Sequence, residues 1–164
     1  MKIEQKIGEY LIKNNLTIST AESCTGGLVS SKLTDVSGSS AYIKLNFVTY
    51  ANEAQIKVLG VKKETLEKYG AVSEECVKEM AQGVIKVTNS DIALCTSGVA
   101  GPNQSEYKPA GTLWIAVFYK GKINTKNIKL SSEINRIEMK EKFAQTALDF
   151  LWKNISILEK DNTI

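Results

Sequence analysis

Apolar residues recur along most of the chain with two different periods, which predict alternating helices and strands. At the start of the chain, apolar positions three or four residues apart predict a helix over residues 3–14. The next segment alternates apolar with hydroxyl side chains, which is typical of a short strand over residues 16–20. A continuous apolar run at 92–95 lies within a predicted strand over 91–96 and indicates a buried, central place in a sheet.

The same periods, with their start and stop residues, predict the other elements. Asn52 and Ser73 are expected to cap the helices that follow them, and Gly121 with Lys122 predicts a hairpin turn. The remaining predicted elements are helices over residues 28–33, 53–59, 64–69 and 133–158, a helix that follows Ser73, and strands over 43–51, 111–119 and 123–130.

Strands and helices alternate through most of the chain, with one hairpin late. This order predicts a three-layer α/β/α sandwich with a mixed, mostly parallel sheet. A length of 164 residues suits one domain with one sizeable core. We therefore expect a single domain over residues 1–160 and a flexible tail over 161–164.

The sequence contains no histidine, and this absence limits the chemistry more than any other feature of the composition. Ser-His-Asp triads, Cys-His pairs and histidine metal sites are excluded. Any nucleophile has to be activated by a lysine, a tyrosine, a carboxylate or a helix N-terminus. The three cysteines, Cys24, Cys76 and Cys95, are far apart and form no CxxC pair, so neither a disulfide framework nor a zinc site is expected.

The charge and hydropathy patterns predict neither a nucleic-acid partner nor a membrane partner. A formal net charge of +3, with no basic block that carries aromatic residues, does not indicate nucleic-acid binding. Charged residues interrupt each apolar run well short of a membrane span, and the first residues lack the apolar core of a signal peptide. We expect a cytoplasmic protein.

A polar segment with two glycines lies between the first predicted strand and the next helix. Ligands bind at the carboxyl ends of strands in open sheets, and free N–H groups of a helix favour an anion or a developing oxyanion. Gly26 and Gly27 would let the backbone approach a ligand, and Ser23 or Cys24 could be a nucleophile. The alternative is that Ser23 or Thr25 only caps the helix.

Two later segments are also candidates. Tyr50 and Asn52 lie where a predicted strand ends and a helix begins, and there Tyr50 could relay a proton and Asn52 could hold a ligand. The alternative is a packed tyrosine and an N-cap asparagine.

The third candidate segment is the long loop after the buried strand. It carries Ser97, Gly98, Gly101 and Lys108, and Lys108 could contribute a positive charge to a phosphate. The alternative is a turn-rich surface connection.

Several motifs occur together in one order. They are TAESCTGG at 20–27, GSSA at 38–41, FVTYANEA at 47–54, LGV at 59–61, GAVSE at 70–74, SGVAGP at 97–102 and KPAGTLW at 108–114. In this order and spacing they resemble the C-terminal domain family of the competence/damage-inducible protein CinA, the nicotinamide-nucleotide amidases. The similarity covers nearly the whole chain and becomes thin after about residue 130.

The resemblance implies an amidohydrolase that converts nicotinamide mononucleotide to nicotinic acid mononucleotide and ammonia, with no metal or cofactor. It implies that Ser23 is the nucleophile, that Tyr50 lies nearby, and that Arg136 matches an arginine of the family's last helix. The family's activating lysine falls at position 55, where this sequence has Gln55. A neutral amide cannot take the proton of a serine hydroxyl.

Three interpretations therefore stay open at the level of the sequence. The first is the amidase, the second is a member that binds a pyridine or related nucleotide without turnover, and the third is a structural or interaction domain with neither property. Lys57 lies two helical positions after Gln55 and should point away from it. The resemblance also suggests a homodimer. The residues expected to bind the nucleotide are Thr25, Gly26, Gly27, Asn52, Ser97, Gly98, Gly101, Lys108 and Arg136.

Overall fold

Helices and strands alternate through most of the structure, a computed structural model that describes the backbone of residues 1–161 and the side chains of residues 1–156. The elements are α1 (Ile3–Lys13), β1 (Ile18–Glu22), α2 (Leu28–Thr34), a 3₁₀ turn (Ser39–Ala41), β2 (Phe47–Val48), α3 (Asn52–Leu59), α4 (Lys63–Tyr69), α5 (Glu74–Thr88), β3 (Ile92–Gly98), β4 (Thr112–Tyr119), β5 (Lys122–Lys129) and α6 (Arg136–Asp161). Of the predicted tail, Asp161 ends α6, and residues 162–164 lie outside the described residues.

The five strands form one mixed sheet in the order β2-β1-β3-β4-β5. β1 pairs in parallel with both β2 and β3, whereas β3, β4 and β5 pair antiparallel. The predicted α/β fold with a mixed sheet is confirmed. Only two of its four strand pairings, β1 with β2 and β1 with β3, are parallel, so the sheet is not mostly parallel as expected.

Both faces of the sheet are covered by helices, which gives the predicted three layers. Successive side chains of a strand point to opposite faces. Ile92 and Leu94 of β3 accordingly pack with residues of α1, α2 and α6, whereas Ala93 and Cys95 pack with residues of α3, α4 and α5. The continuous apolar run of β3 thus serves two cores, as expected for a central strand.

The strand predicted over 43–51 is the largest error in the sequence-based elements. β2 contains only Phe47 and Val48. Before it, side chains replace the backbone ladder: the Thr20 N–H donates to the Asn46 side chain at 3.0 Å, and the Leu45 N–H donates to the Ser19 hydroxyl at 3.3 Å. A pattern of β-forming residues does not reveal this competition.

The two predicted helix caps differ in outcome. The Ser73 hydroxyl accepts a hydrogen bond from the Cys76 N–H at 3.2 Å, which confirms that Ser73 caps α5. The prediction for Asn52 is wrong, because Ala51 is the extended N-cap residue of α3 and Asn52 is the first helical residue. The Asn52 side chain is therefore free of a capping role.

Gly83 lets α5 and α3 approach each other through their backbones. A Cβ on Gly83 would lie 1.9 Å from the carbonyl oxygen of Leu59, the last residue of α3. We expect Gly83→Ala to lower the free energy of unfolding by about 3 kcal/mol, because a backbone atom cannot move aside as a side chain can. Urea denaturation measures this loss. The exposed neighbour on the same helix provides the control, since Gln82→Ala should change stability by less than about 0.5 kcal/mol.

Candidate functional site

A cleft of about 240 Å³ opens where β1 and β3 end at the same edge of the sheet. This is where open α/β sheets bind ligands. Its walls come from the turn after β1, the loop after β2, the loop before α5, the loop after β3 and the first residue of α6. The lining residues are Ser23, Cys24, Tyr50, Asn52, Ala71, Val72, Ser97, Gly98, Val99, Ala100, Gly101, Asn103, Ser105, Glu106 and Arg136.

Ser23 is the first residue after β1 and is half-buried in the wall of the cleft. Its N–H donates to the Thr96 carbonyl of β3 at 3.1 Å, which fixes the backbone of the nucleophile candidate. Among the described residues, no group forms a hydrogen bond with the Ser23 hydroxyl. The hydroxyl is therefore held at the cleft and is unpaired there.

The start of α2 is capped by a residue that the sequence analysis did not select. The fully buried Glu22 carboxylate accepts hydrogen bonds from the N–H groups of Val29 and Ser30 at 2.8 and 3.0 Å. It also accepts hydrogen bonds from the hydroxyl groups of Thr25 at 2.6 Å and Ser30 at 2.8 Å. The expectation that free α2 N–H groups bind an anion is thus wrong for these two groups, because an internal anion already occupies them.

Thr25, Gly26 and Gly27 shape the backbone of this turn and do not line the cleft. Thr25 is fully buried, and its hydroxyl contacts Glu22 and, at 2.9 Å, the Thr96 hydroxyl. Gly26 and Gly27 have φ angles of +61° and +100°, which glycine adopts without the strain that a side chain causes. The structure therefore assigns all three residues to the turn that presents Ser23.

Arg136 connects opposite walls of the cleft. Its guanidinium donates one hydrogen bond to the Tyr50 hydroxyl oxygen at 2.9 Å and another to the Gly101 carbonyl oxygen. The Tyr50 hydroxyl accepts from Arg136 and so keeps its own proton to donate. Asn52 lies on the same wall as Tyr50. Gly101 and Arg136, which are distant in sequence from Tyr50 and Asn52, thus line the same cleft as these two residues.

Gln55 does not line the cleft and is fully buried between α3 and α5. Its Nε2 donates to the Thr49 carbonyl at 3.3 Å, and its Oε1 accepts from the Cys76 thiol at 3.3 Å. The Thr49 N–H in turn donates to the Glu22 carbonyl at 2.9 Å, one residue before Ser23. Position 55 is therefore close to the Ser23 turn, but its amide is bonded on both sides.

The sequence model of the CinA C-terminal domain matches residues 1–155 of this chain. The chain belongs to the CinA C-terminal domain family. It is 47% identical over 154 residues to a CinA-like protein of Chloroherpeton thalassium, a match that covers 92% of this chain and 37% of the relative. A CinA-like protein of Fervidobacterium nodosum is 49% identical over 148 residues, a match that covers 90% of this chain and 36% of that relative. The chain thus spans just over a third of the length of these curated relatives.

Solved structures of CinA proteins have the same fold. The competence damage-inducible protein A of Klebsiella pneumoniae superposes with a TM-score of 0.90 at 34% identity, covering 94% of this chain and 95% of that one. The competence/damage inducible protein CihA of Agrobacterium tumefaciens superposes with a TM-score of 0.84 at 35% identity, and the match covers 92% of this chain and 94% of that one. The resemblance inferred from the motifs is confirmed.

No lysine of this CinA domain forms a hydrogen bond with Ser23 within the part of the chain whose side chains are described. Lys44 and Lys57 are exposed, and Lys57 points away from Gln55 as its spacing predicts. Lys32 forms an ion pair with Glu141 at 3.0 Å.

Lys108 holds loops together and does not line the cleft. Its ammonium group donates to the carbonyl oxygens of Tyr69 and Val72 and to Glu106. The Glu106 carboxylate also accepts from the N–H groups of Ala71 and Val72, at 2.9 and 3.1 Å. The two charged residues thus fasten the loop after β3 to the loop before α5.

Cys24 is the second nucleophile candidate of this CinA domain, and its environment opposes that role. Burial raises the pKa of the Cys24 thiol to about 12, against the smaller opposing effects of Arg136 and Lys140. A thiolate is the reactive form of cysteine, and at neutral pH this thiol stays protonated. Ser23 is therefore the better-placed nucleophile of the two.

A serine and a glycine at the end of β3 complete the cleft. Ser97 and Gly98 are the last residues of β3, and the buried Ser97 hydroxyl has no hydrogen-bond partner among the described residues. Seven further lining residues were not predicted as site residues. Ala71, Val72, Val99 and Ala100 lie within the GAVSE and SGVAGP motifs, whereas Asn103, Ser105 and Glu106 lie outside every quoted motif.

The described residues contain no group of three or more cysteine or acidic side chains that could hold a metal ion. Among them, no helix has both the length and the apolar character that a membrane crossing requires.

Proposed function

We propose that this cleft binds nicotinamide mononucleotide or a closely related pyridine nucleotide, and that the chain hydrolyses the carboxamide slowly. One observation carries the proposal. The Ser23 hydroxyl is open to the cleft with no basic partner, while the amide at position 55 is bonded to Thr49 and Cys76. The pyridine nucleotide itself is taken from the family resemblance.

The composition of the cleft supports binding. Asn52 and Tyr50 present an amide and a hydroxyl proton, and the Ser97 hydroxyl is unpaired in the described structure. Convergent polar groups in a concave site at the strand ends are typical of a small-molecule site. Arg136 adds a positive charge for the phosphate of a nucleotide.

The reaction that this site would perform begins with attack of the Ser23 oxygen on the carboxamide carbon. The serine proton has to pass to a base, and the tetrahedral intermediate then expels ammonia and leaves an acyl-enzyme for water to hydrolyse. Gln55 cannot accept that proton, and general base catalysis contributes about 10²–10⁴-fold to such a step. Slow turnover follows from this missing contribution.

Calorimetric titration of the chain with nicotinamide mononucleotide tests the proposal, together with an ammonia-release assay on the same sample. We expect saturable binding with little ammonia. At a ligand concentration 100 times Kd, the free energy of unfolding should rise by about 2.7 kcal/mol. Ser23→Ala should bind the nucleotide with unchanged affinity. The absence of both heat and thermal stabilisation at millimolar ligand would reject the proposed ligand.

A second candidate is an efficient serine amidohydrolase, which the half-exposed, unpaired Ser23 hydroxyl favours. In that case the serine proton would pass through water in the cleft, because the Tyr50 hydroxyl keeps its own proton. The same assay separates the two candidates: ammonia release at an ordinary enzymatic rate, about 1 s⁻¹ or faster, supports the second and eliminates the first.

A further inference from the structure

Lys140 is a cation beside the turn that carries Ser23, and the described side chains give it no acidic partner. It is half-buried on α6, and no ion pair to it occurs among the described side chains. Its ammonium nitrogen lies 3.5 Å from where a Cβ of Gly26 would be, so it lies against the turn that carries Ser23. Neither the motifs nor the cleft lining identified this residue.

The helical repeat of α6 places Lys140 beside Arg136. The two residues are four positions apart and therefore share one face of the helix. Met139 and Phe143 are fully buried on the neighbouring face, which fixes the rotation of the helix. Both cations act electrostatically on Cys24, the residue that separates Ser23 from the rest of the turn. Two positive charges thus lie near Cys24, and one of them, Arg136, stands in the wall of the cleft.

This concentration of positive charge is not explained by helix stability. Arg136 stands in the first turn of α6, where the helix dipole makes a cation unfavourable. An arginine has five N–H donors, and the contacts with Tyr50 and Gly101 leave others free. The helix N-terminus and both side chains therefore create the positive potential that an anion requires.

We propose that Arg136 and Lys140 together bind the phosphate group of the nucleotide, with Lys140 in direct contact with it beside Gly26. This inference rests on the proposed function, because it specifies where the phosphate of that ligand lies. The Ser23 hydroxyl lies on the same turn, so a phosphate held here would leave the remainder of the ligand inside the cleft. Gly26 is exposed and has no side chain to obstruct the phosphate.

The test compares two ligands that differ only in the phosphate, nicotinamide mononucleotide and nicotinamide riboside, by calorimetric titration. We expect Lys140→Met to weaken the binding of the mononucleotide by about tenfold, which corresponds to the loss of one charge-assisted hydrogen bond. The affinity for the riboside should not change. Lys142→Met is the matched control, because Lys142 lies on the same helix, is exposed and pairs with Glu138. It should bind both ligands as the unaltered chain does.

Inorganic phosphate separates this inference from the proposed function. In an NMR titration, phosphate should shift the Gly26 amide resonance of the unaltered chain but not that of Lys140→Met. If neither pyridine ligand binds and this shift is seen, the proposed ligand is wrong and the phosphate site stands. Equal weakening of both ligands by Lys140→Met, or unchanged mononucleotide affinity, would overturn the site. So would the absence of both nucleotide binding and the phosphate-induced shift.

Discussion

Gln55→Lys should raise the rate of ammonia release from nicotinamide mononucleotide by about 10²–10⁴-fold, the contribution expected of a positioned base. The lysine nitrogen would lie one bond beyond the present position of Nε2, which is next to Thr49 and close to the Ser23 turn. Burial lowers the pKa of a lysine, which favours the neutral amine that a base requires. The substitution would thus provide the proton acceptor that position 55 lacks.

Gln55→Met is the matched control, because methionine has a similar length and no basic nitrogen. It should leave the rate at the level of the unaltered chain, and its melting temperature shows how much of any change comes from altered packing. Adding Ser23→Ala to Gln55→Lys should remove the gain, since the base would have no hydroxyl to deprotonate. Equal rates for the lysine and methionine variants, both folded, would contradict the role assigned to position 55.

Glu22→Ala should lower the free energy of unfolding by about 3–5 kcal/mol, the largest stability effect that we expect for this domain. The carboxylate accepts hydrogen bonds from two backbone N–H groups and from the hydroxyls of Thr25 and Ser30, all in a buried region. Each buried donor that loses its acceptor costs about 1–3 kcal/mol, and neighbouring losses do not add fully. Urea unfolding with a constant m-value measures the loss.

Two further variants make this prediction sharper. Glu22→Gln keeps one acceptor oxygen but turns an amide NH₂ toward donors, so its loss should be intermediate. Glu9→Ala removes an exposed carboxylate from α1 and should change stability by less than about 0.5 kcal/mol. A loss below about 1 kcal/mol for Glu22→Ala would mean that other groups satisfy the start of α2.

The architecture could be predicted from the sequence because it depends on local periodicity. The alternation of helices and strands, the late hairpin and the Ser73 cap are all visible as patterns within single segments. The convergence of Ser23, Tyr50 and Ser97 could also be predicted, since each follows a strand and parallel strands end at one edge. The motifs added the family, which no periodicity could provide.

The partners of individual polar side chains could not be predicted in this way. Asn46 shortens β2 by bonding across to Thr20, and Glu22 takes the N–H groups that were expected to bind a ligand. Both contacts depend on which polar side chain the fold brings next to a backbone N–H group.

The tertiary structure also decided what surrounds Ser23, the proposed nucleophile. The sequence determined that position 55 is an amide, and the packing of α3 on α5 decided that this amide is bonded to Thr49 and Cys76. Likewise, Lys140 lies beside Gly26 because the buried face of α6 sets the rotation of that helix. The spacing of apolar residues is a local property of the chain, whereas the neighbours of a buried polar atom are set by elements far away in sequence.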